Sequence, residues 1–588
     1  MATTNSMQSI VWSYLTRMLQ GNDSSTSDGM KVFIMDDETM RIVSTVASQR
    51  DVLRLGVYLT ERLDAPSSDL AAPTTSGQGA LSQHMSAVYF VRPTKDAIRR
   101  IRLELKAPRF GSYAVYFSNV VSDMRLQDLA EADVYERIRE VKEVCMDFVA
   151  LDGHHFYVPL GNPWMSFAPS HLDFGASSDM VDRITEGIAS VMLSMRHRFQ
   201  IRYQRSSDLA NKVAGSLYQL THQDQRELYD FGSHRDGPLL LLLDRMQDPV
   251  TPLLSQWTYQ AMMHEILGMK DNIVHSSEGE GYVVSSLHDE FFRKNMYLNF
   301  GDVGMAVKNL VDTVSADHKN VRAFDSIDDI AEFVERLPDA TQQQGITAKH
   351  VSIMSSLSRE VEERSLMTVS GVEQDVCCQS SNPSGHYESV LKIVRHPDMH
   401  VYDKARLVLL YACRYDDEAP QQASSLFGAI EQSGIDPLLL DTLRYVRKLW
   451  SVQSKDLDVF SDKTLTSRFA NLAKQHLKGV ENVYTQHKPA FIPLIEKAAK
   501  GRLPVSEYPF ALQQQDDAHQ RGSKLIIVFI IGGSTYEEAK AIAEMTSGSA
   551  EALSGVQVIL GSTGVQNSHS FLQDLGQVRR LEMYSHSR

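Results

Sequence analysis

Two aspartates follow a run of five leucines at a predicted turn from strand to helix. Asp244 comes directly after the leucines at 239–243, and Asp248 follows four residues later in the segment DRMQDPVTPLLSQWTYQAMMHEILGM, residues 244–269. Carboxylates at this spacing can act as a general acid and base, or they can bind Mg²⁺. The segment is therefore a candidate catalytic centre of an α/β enzyme.

The same segment also has a purely structural explanation. Thr251 suits the N-cap of a helix, Pro252 suits its first turn, and Gly268 suits its end. Asp244 and Arg245 can pair at the end of the preceding strand. We favour a structural joint because no nucleophile stands nearby. The apolar residues between cap and end recur at helical spacing: Leu253, Leu254, Trp257, Ala261 and Ile266.

Other motifs that could carry catalysis are incomplete. The glycine segments GGSTYEEAK (532–540) and GSTG (561–564) match neither phosphate-loop pattern, so they predict ordinary turns from strand to helix. The serine elbow GxSxG is absent. His264 and Glu265 lack the second histidine of a zinc-protease helix, and the four cysteines lack zinc-site spacing. We expect no catalytic residue, no metal and no cofactor.

Length and charge exclude several broad classes of protein. A chain of 588 residues is too long for one hydrophobic core and predicts several domains. The net charge of −15 opposes long-range attraction to nucleic acid or acidic lipid, although local basic patches remain open. The longest apolar runs, at 239–243 and 525–531, are far shorter than the ~20 residues that cross a bilayer. The N-terminus lacks the pattern of a secretory signal, so we expect a cytoplasmic protein.

The order of predicted elements indicates an α/β layer with a large insertion. Short apolar strands are predicted at 31–37, 87–93 and 113–119, and a helix is predicted at 133–148. Residues 65–83 are rich in Pro, Ser and Gly and are predicted to form a loop. Residues 252–415 are mostly helical in pattern, and apolar strands return at 525–533 and 556–564. Strands that are apolar on both faces are buried within a larger sheet. We therefore expect these two strands to pair with strands from before Asp244.

The segment at 244–269 resembles the signature of the SM (Sec/Munc, syntaxin-binding) family of SNARE regulators. The resemblance continues in DEFFRKNMYLNFGDVG (289–304), SREVEERSLMTVSGVEQD (358–375) and DKARLVLLYACRY (403–415), and in the two glycine segments. Within this family, the sequence most resembles the vacuolar-protein-sorting branch, which serves the trans-Golgi network and endosomes. The family is not enzymatic.

The resemblance implies an arch-shaped fold of three domains. Domain 1 covers 1–137, domain 2 covers 138–244 together with 471–588, and the mostly helical domain 3 covers 245–470. A metal- or nucleotide-dependent α/β enzyme that uses Asp244, Asp248 and the glycine turns remains the alternative.

The resemblance also implies a pocket on domain 1 for the N-terminal peptide of a syntaxin. The matching stretch is YFSNVVSDMRLQDLAEADVYERIREV. For each apolar side chain assigned to this pocket, burial in the hydrophobic core is the competing interpretation. The residues assigned to the pocket are Phe117, Leu126, Leu129, Ala130, Ile138 and Val141.

A second surface implied by the family is a helical hairpin of domain 3, at about 330–371. We expect a helix that stops near Pro338, a polar linker, and a second helix from about 347 to 370. Lys349 and His350 oppose the dipole near the second helix start, so we expect them to meet an acidic SNARE segment. Val351, Met354, Leu357 and Val361 have helical spacing, which fits either core packing or SNARE contact.

The expected partners follow from the same resemblance. They are a trans-Golgi or endosomal syntaxin, bound by its N-terminal peptide and its helical regions, together with other SNAREs and the assembled SNARE complex. A Rab effector is a further candidate. We expect a monomer that does not bind nucleic acid or insert into membranes, and that associates with Golgi, endosomal and vesicle membranes through its partners.

Overall fold

The computed structural model describes most of the chain. The described residues are 6–20, 30–64, 84–168, 177–232, 237–276, 279–320, 327–452, 457, 459–460, 486–511, 522–546 and 555–586. Side chains at 314–343 lie outside this description, as do the predicted loop at 65–83 and the expected domain boundary at residue 470.

The first sheet has five parallel strands in the order β2-β1-β3-β4-β5. Apolar residues of the strands and of the helices between them form its core, for example Val32, Tyr89 and Val115. The strands are β1 (Lys31–Met35), β2 (Val57–Arg62), β3 (Ser86–Val91), β4 (Ser112–Phe117) and β5 (Ile138–Glu143). The helices of this part are α1 (Met7–Gln20), α2 (Asp37–Ser44), α3 (Gln49–Arg54), α4 (Lys95–Lys106) and α5 (Asp123–Ala132).

The helix predicted at 133–148 is wrong, because the chain forms the edge strand β5 there. Glu, Arg and Lys favour a helix locally, but the Asp133 carboxylate accepts the backbone N–H groups of Arg137 and Ile138, both at 2.9 Å. These bonds close a tight turn after α5, and β5 then pairs with β4. The expected domain boundary at residue 137 therefore cuts off a strand of the first sheet. We propose that domain 1 ends after Glu143.

The second sheet joins distant parts of the chain in the order β6-β7-β14-β13-β9-β8. Strand β13 pairs in parallel with β9, in the register Ile526 to Leu239, and β14 pairs with β7. The predicted pairing of the C-terminal strands with strands from before Asp244 is confirmed. The elements are β6 (Val149–Ala150), β7 (His155–Tyr157), α6 (Ser177–Met195), β8 (Gln200–Tyr203), α7 (Asp208–Gln219), β9 (Leu239–Asp244), β13 (Leu525–Ile531), α18 (Tyr536–Thr546), β14 (Gln557–Ser562) and α19 (Ser568–His586).

Between β9 and β13, the residues that the structure describes are mostly helical and include a small antiparallel sheet. The fold is therefore α/β with a large helical insertion. The sheet consists of β10 (Met269–Lys270), β11 (Ile273–His275) and β12 (Gly281–Val283). The helices are α8 (Tyr259–Met262), α9 (Glu290–Asn295), α10 (Phe300–Asn320), α11 (Ile327–Glu363), α12 (Leu366–Cys378), α13 (Pro383–Arg395), α14 (Val401–Tyr415), α15 (Pro420–Glu431), α16 (Pro437–Val452) and α17 (Ile492–Ala499).

The single helix predicted from Thr251 to Gly268 is also wrong. A 3₁₀ turn covers Thr251–Leu253, the chain then extends, and α8 runs into a π-helical turn at Met263–Leu267. Most apolar residues of this segment are buried, and they divide between the two large cores of the molecule: Leu253 lies in one core, and Trp257 lies in the other. Two cores need an irregular chain between them, which one straight helix cannot provide.

A buried guanidinium holds the carboxyl edge of the second sheet. Arg245, directly after β9, donates to both oxygens of Glu538 on α18, at 2.6 and 2.7 Å. It also donates to the carbonyl oxygens of Asp248, at 3.1 Å, and Gly533, at 3.0 Å. Glu538 in turn accepts the N–H of Thr535 at 2.7 Å. One side chain thus fixes the exit from β9, the turn after β13 and the start of α18.

We expect Glu538→Ala to destabilise the protein by about 3–5 kcal/mol, because Arg245 would stay buried without its partner. The measurement is the urea midpoint of unfolding. Glu431→Ala is the matched control, since Glu431 pairs with Arg444 at the surface and should contribute about 0–1 kcal/mol. Equal midpoints for the two variants would contradict this view of the Arg245 network.

Candidate partner-binding surfaces

The structure divides the six predicted pocket residues between core and surface. Phe117 and Leu129 are buried in the core of the first sheet. Leu126 and Ile138 are partly buried against the same core, whereas Ala130 and Val141 are exposed. The sequence could not separate these groups, because helix α5 is short and both of its faces carry apolar residues.

Three exposed apolar residues near the predicted pocket were missed. Met124 on α5 is 72% exposed, and Val134 and Tyr135 in the following turn are 76% and 58% exposed. Large apolar side chains this exposed often mark a binding surface when they lie in one region. The residue type was the available signal, since Val and Tyr stand in an otherwise acidic stretch, EADVYE. We call these three residues together with Ala130 and Val141 the α5–β5 surface.

The expected hairpin at 330–371 is organised differently from the prediction. Helix α11 runs without interruption through Pro338 and the predicted linker, and it packs against α10. It ends at Glu363, and α12 begins after Ser365, whose φ of +50° breaks the helical path. An interior proline removes one hydrogen bond and costs about 3 kcal/mol, but it does not stop a helix of 37 residues that has many other bonds. The two helices that pack against each other in this region are therefore α10 and α11.

Lys349 and His350 were expected to meet an acidic SNARE segment, but in the structure both contact Asp289 of this chain. Asp289 caps α9 by accepting the N–H of Phe292 at 2.8 Å, and its Oδ2 binds both Lys349 Nζ and His350 Nε2, the latter at 2.9 Å. His350 Nδ1 also lies 2.7 Å from the hydroxyl of Tyr259. His350 is fully buried, which corrects the expectation that it contacts a partner.

Electrostatics make this contact a firm anchor for α11. Burial opposes the charged form of Asp289, but the hydrogen bonds and charges of His350 and Lys349 outweigh it and hold the pKa of Asp289 well below its usual value. Burial is the main cause that lowers the pKa of His350, and Asp289 works against it. Lys349 also donates to the carbonyl of Val283 at 3.1 Å. The anchor therefore ties α11 to both α9 and the small sheet.

Helix α11 keeps one exposed face beyond this anchor. Met354, Leu357 and Val361 are buried in the core, as their spacing allows, whereas Val351 is 41% exposed. Exposed residues recur every three or four positions, which places them on one side of the helix. Most are small, so a partner helix could approach closely. The exposed stripe of α11 consists of Ala348, Val351, Ser355, Ser358 and Glu362.

The two aspartates at the strand end bind neighbouring parts of their own chain. Asp244 accepts the Ser207 hydroxyl at 2.6 Å and the N–H of Met246 at 2.9 Å. Asp248 accepts the N–H and hydroxyl of Thr251, at 3.0 and 2.6 Å. Burial raises the pKa of Asp244, although these hydrogen bonds oppose the shift. Both carboxylates thus act as caps of short turns.

The glycine turn after β13 is filled by protein groups. Gly532 and Gly533 have φ values of +100° and +96°, which glycine adopts without strain. A Cβ at Gly532 would lie 2.7 Å from Cβ of Arg245, and one at Gly533 would lie 2.5 Å from Cγ of Gln566. The glycines are therefore needed for close packing with these side chains. The described residues contain no cluster of three or more His, Cys, Asp or Glu arranged to hold a metal ion.

Among the helices that the structure describes, none is both long and apolar enough to span a membrane.

Comparison with known proteins gives consistent results over nearly the whole chain. Relatives include a vacuolar protein sorting-associated protein 45 homolog of Arabidopsis thaliana, 38% identical over 97% of both chains. Vacuolar protein sorting-associated protein 45 of Homo sapiens is 35% identical over 96% of this chain and 94% of the human one. The solved complex of the SM protein Vps45 with the Qa SNARE Tlg2 aligns with a TM-score of 0.83 and 33% identity, over 97% of this chain and 98% of that chain.

The family model named Sec1 family matches residues 31–574, which include both large sheets and the helical part between them. The chain therefore belongs to the Sec1 family.

Proposed function

We propose that the protein is a SNARE-binding regulator of intracellular vesicle fusion in sorting to the endosome and vacuole. The observation that carries this proposal is the likeness to an SM protein whose solved complex contains a Qa SNARE, over 97% of this chain. The partner is a trans-Golgi or endosomal syntaxin. The protein reaches membranes through this partner, and it chaperones or templates SNARE assembly.

The α5–β5 surface is the proposed docking site for the N-terminal peptide of the syntaxin. Its exposed apolar residues stand on a short helix, a turn closed by Asp133, and the edge strand β5. Leu126 and Ile138 lie partly buried behind them against the core of the first sheet. A few apolar anchors on such a rigid support can hold a short peptide, because little ordering is needed in the protein.

Replacing Ala130 or Val141 by Asp should weaken binding of a syntaxin N-terminal peptide at least tenfold, or about 1.4 kcal/mol, because a charge would enter an apolar contact. Calorimetric titration measures the affinity. Both residues are exposed, so the melting temperature should stay unchanged.

Val505→Asp is the control, since Val505 is an exposed valine in the segment after α17. Loss of peptide binding in this control, or wild-type affinity in both test variants, would place the peptide elsewhere.

The exposed stripe of α11 is the proposed contact for the helical part of a SNARE. Asp289 anchors α11 through its contacts with Lys349 and His350. The buried side chains of Leu357 and Val361 anchor the following turns of the same helix. The stripe then faces outward with a small apolar centre at Val351 and small polar residues at Ser355 and Ser358. A helix held in this way offers a flat, ordered surface to another helix.

Ser355→Arg should slow SNARE complex assembly about fivefold, because a long charged side chain would prevent close approach of a partner helix. The measurement is the rate of assembly with cognate SNAREs, followed by fluorescence. Met367→Arg is the control because Met367 is exposed on the next helix, α12. An equal effect of both variants would indicate nonspecific charge repulsion and contradict a role for the stripe.

We infer that the protein acts by binding and carries no catalytic activity. Support comes from Asp244 and Asp248, whose carboxylates accept bonds from adjacent turns, and from the glycine turn packed against Arg245. An α/β enzyme would need these groups to face a substrate.

Millimolar nucleotide with Mg²⁺ should therefore leave the melting temperature unchanged. A ligand present at about 100 times its Kd would stabilise the protein by about 2.7 kcal/mol, which a thermal-shift assay detects easily. The syntaxin peptide is the positive control. A reproducible rise with nucleotide and Mg²⁺ would favour the enzyme alternative.

A further inference from the structure

The outer side of β8 is covered by a segment that follows α17. Strand β8 stands last in the strand order of the second sheet and is therefore an edge strand. The backbone N–H of Tyr203 donates to the carbonyl oxygen of Pro509 at 3.2 Å. The N–H of Arg205 donates in the same way to Glu507 at 2.9 Å. We call residues 502–511 the strap, and it occupies the edge that β8 would otherwise present to solvent.

One arginine of β8 binds the strap through its side chain. Arg202 Nε donates to the carbonyl oxygen of Tyr508 at 2.8 Å. Its Nη2 donates to the carbonyl oxygens of Leu503 and Pro504, both at 3.0 Å. The guanidinium also lies 4.7 Å from the ring centre of Phe510. A guanidinium carries five N–H donors in a fixed plane, so it can bind several carbonyl oxygens at once. Arg202 therefore holds the strap near both of its ends.

This contact differs from those of the other buried arginines in the described part of the chain. Arg183, Arg245 and Arg406 each pair with a carboxylate. Arg202 is 6% exposed, and the acceptors that bind it are neutral carbonyl oxygens. Burial lowers the pKa of Arg202 to about 10. A cation bound by neutral acceptors is easier to release than one bound by a carboxylate, because no opposite charge is left buried behind it.

Without the strap, β8 could pair with another chain. The unpaired N–H and C=O groups of an edge strand can bind a further strand. Strand β8, Gln200–Tyr203, contains no proline that would prevent such pairing. The strap does contain Pro504 and Pro509, which lack the N–H that a further strand would need. The strap therefore ends the second sheet on this side.

We propose that Arg202 holds the strap on β8, and that the strap prevents the second sheet from pairing with a second copy of this chain. A second copy carries the same edge, so two β8 strands could pair antiparallel about a twofold axis. The arginine also protects the edge when the strap moves away. Its charge then stands on the exposed strand, and like charges on facing strands oppose pairing.

The test is amide hydrogen exchange of the full chain, measured by mass spectrometry. Arg202→Ala should raise exchange about tenfold or more in the segment that contains the N–H groups of Tyr203 and Arg205, because their acceptors move away with the strap. Exchange in β13 should stay unchanged, which separates opening of the strap from global unfolding. The variant should also self-associate, which light scattering detects. Millimolar methylguanidinium should reverse both effects, since it can occupy the site that the side chain leaves.

Arg414→Ala is the matched control, because Arg414 also donates to backbone carbonyl oxygens, those of Val376 and Gln379 at the end of α12. It should change neither exchange at β8 nor self-association. Arg202→Lys keeps the charge but loses the planar set of donors. Exchange at β8 should therefore rise in this variant without self-association.

Unchanged exchange at β8 in Arg202→Ala would overturn the proposal, as would an open strap without self-association in that variant. Failure of methylguanidinium to restore slow exchange would show that the guanidinium does not hold the strap. If Arg202→Ala does not fold, exchange in Arg202→Lys decides the question, and wild-type exchange at β8 there would reject the role of Arg202.

Discussion

The arrangement of the whole molecule depends on the buried ion pair between Arg245 and Glu538. The strand that leaves the second sheet and the strand that returns to it lie side by side, although 280 residues of sequence separate the end of β9 from the start of β13. Parallel pairing alone fixes the register of these strands. The guanidinium adds a directional constraint, because its bonds reach the turn after β9, the glycine turn after β13 and the first turn of α18 together.

Similar buried charges lie at the other junctions. Asp147 accepts hydrogen bonds from Arg183 on α6 and from Asn119 after β4, which ties the first sheet to the second. Arg406 on α14 binds Asp403 on the same helix, Glu373 on α12 and the carbonyl of Leu253, which ties the helical part to the chain leaving the sheet. A buried charge is costly when it loses its partner, so each junction strongly favours one geometry. Apolar contacts alone would tolerate small shifts.

The sequence was sufficient for the parts of the fold that depend on burial. Strands β9, β13 and β14 are apolar on both faces, and this property required a shared sheet. It was insufficient where a polar contact decided the outcome. The Asp133 turn converted a helical pattern into β5, and the cores on either side divided the segment after Thr251. The helix end predicted near Pro338 was wrong for a different reason. A proline removes one backbone hydrogen bond, which is a small part of those that hold a long helix.

The candidate surfaces were partly predictable, and the errors have one physical cause. Residue type identifies an apolar side chain, but only the tertiary structure shows whether it faces inward. Leu129 and Ala130 are adjacent in sequence and in the same proposed pocket, yet one is core and the other is surface. Likewise His350 is fully buried and Val351 is exposed, since adjacent helical residues point about 100° apart. A binding protein of this kind needs both members of each pair, because the buried residue holds the backbone that presents its exposed neighbour to the partner.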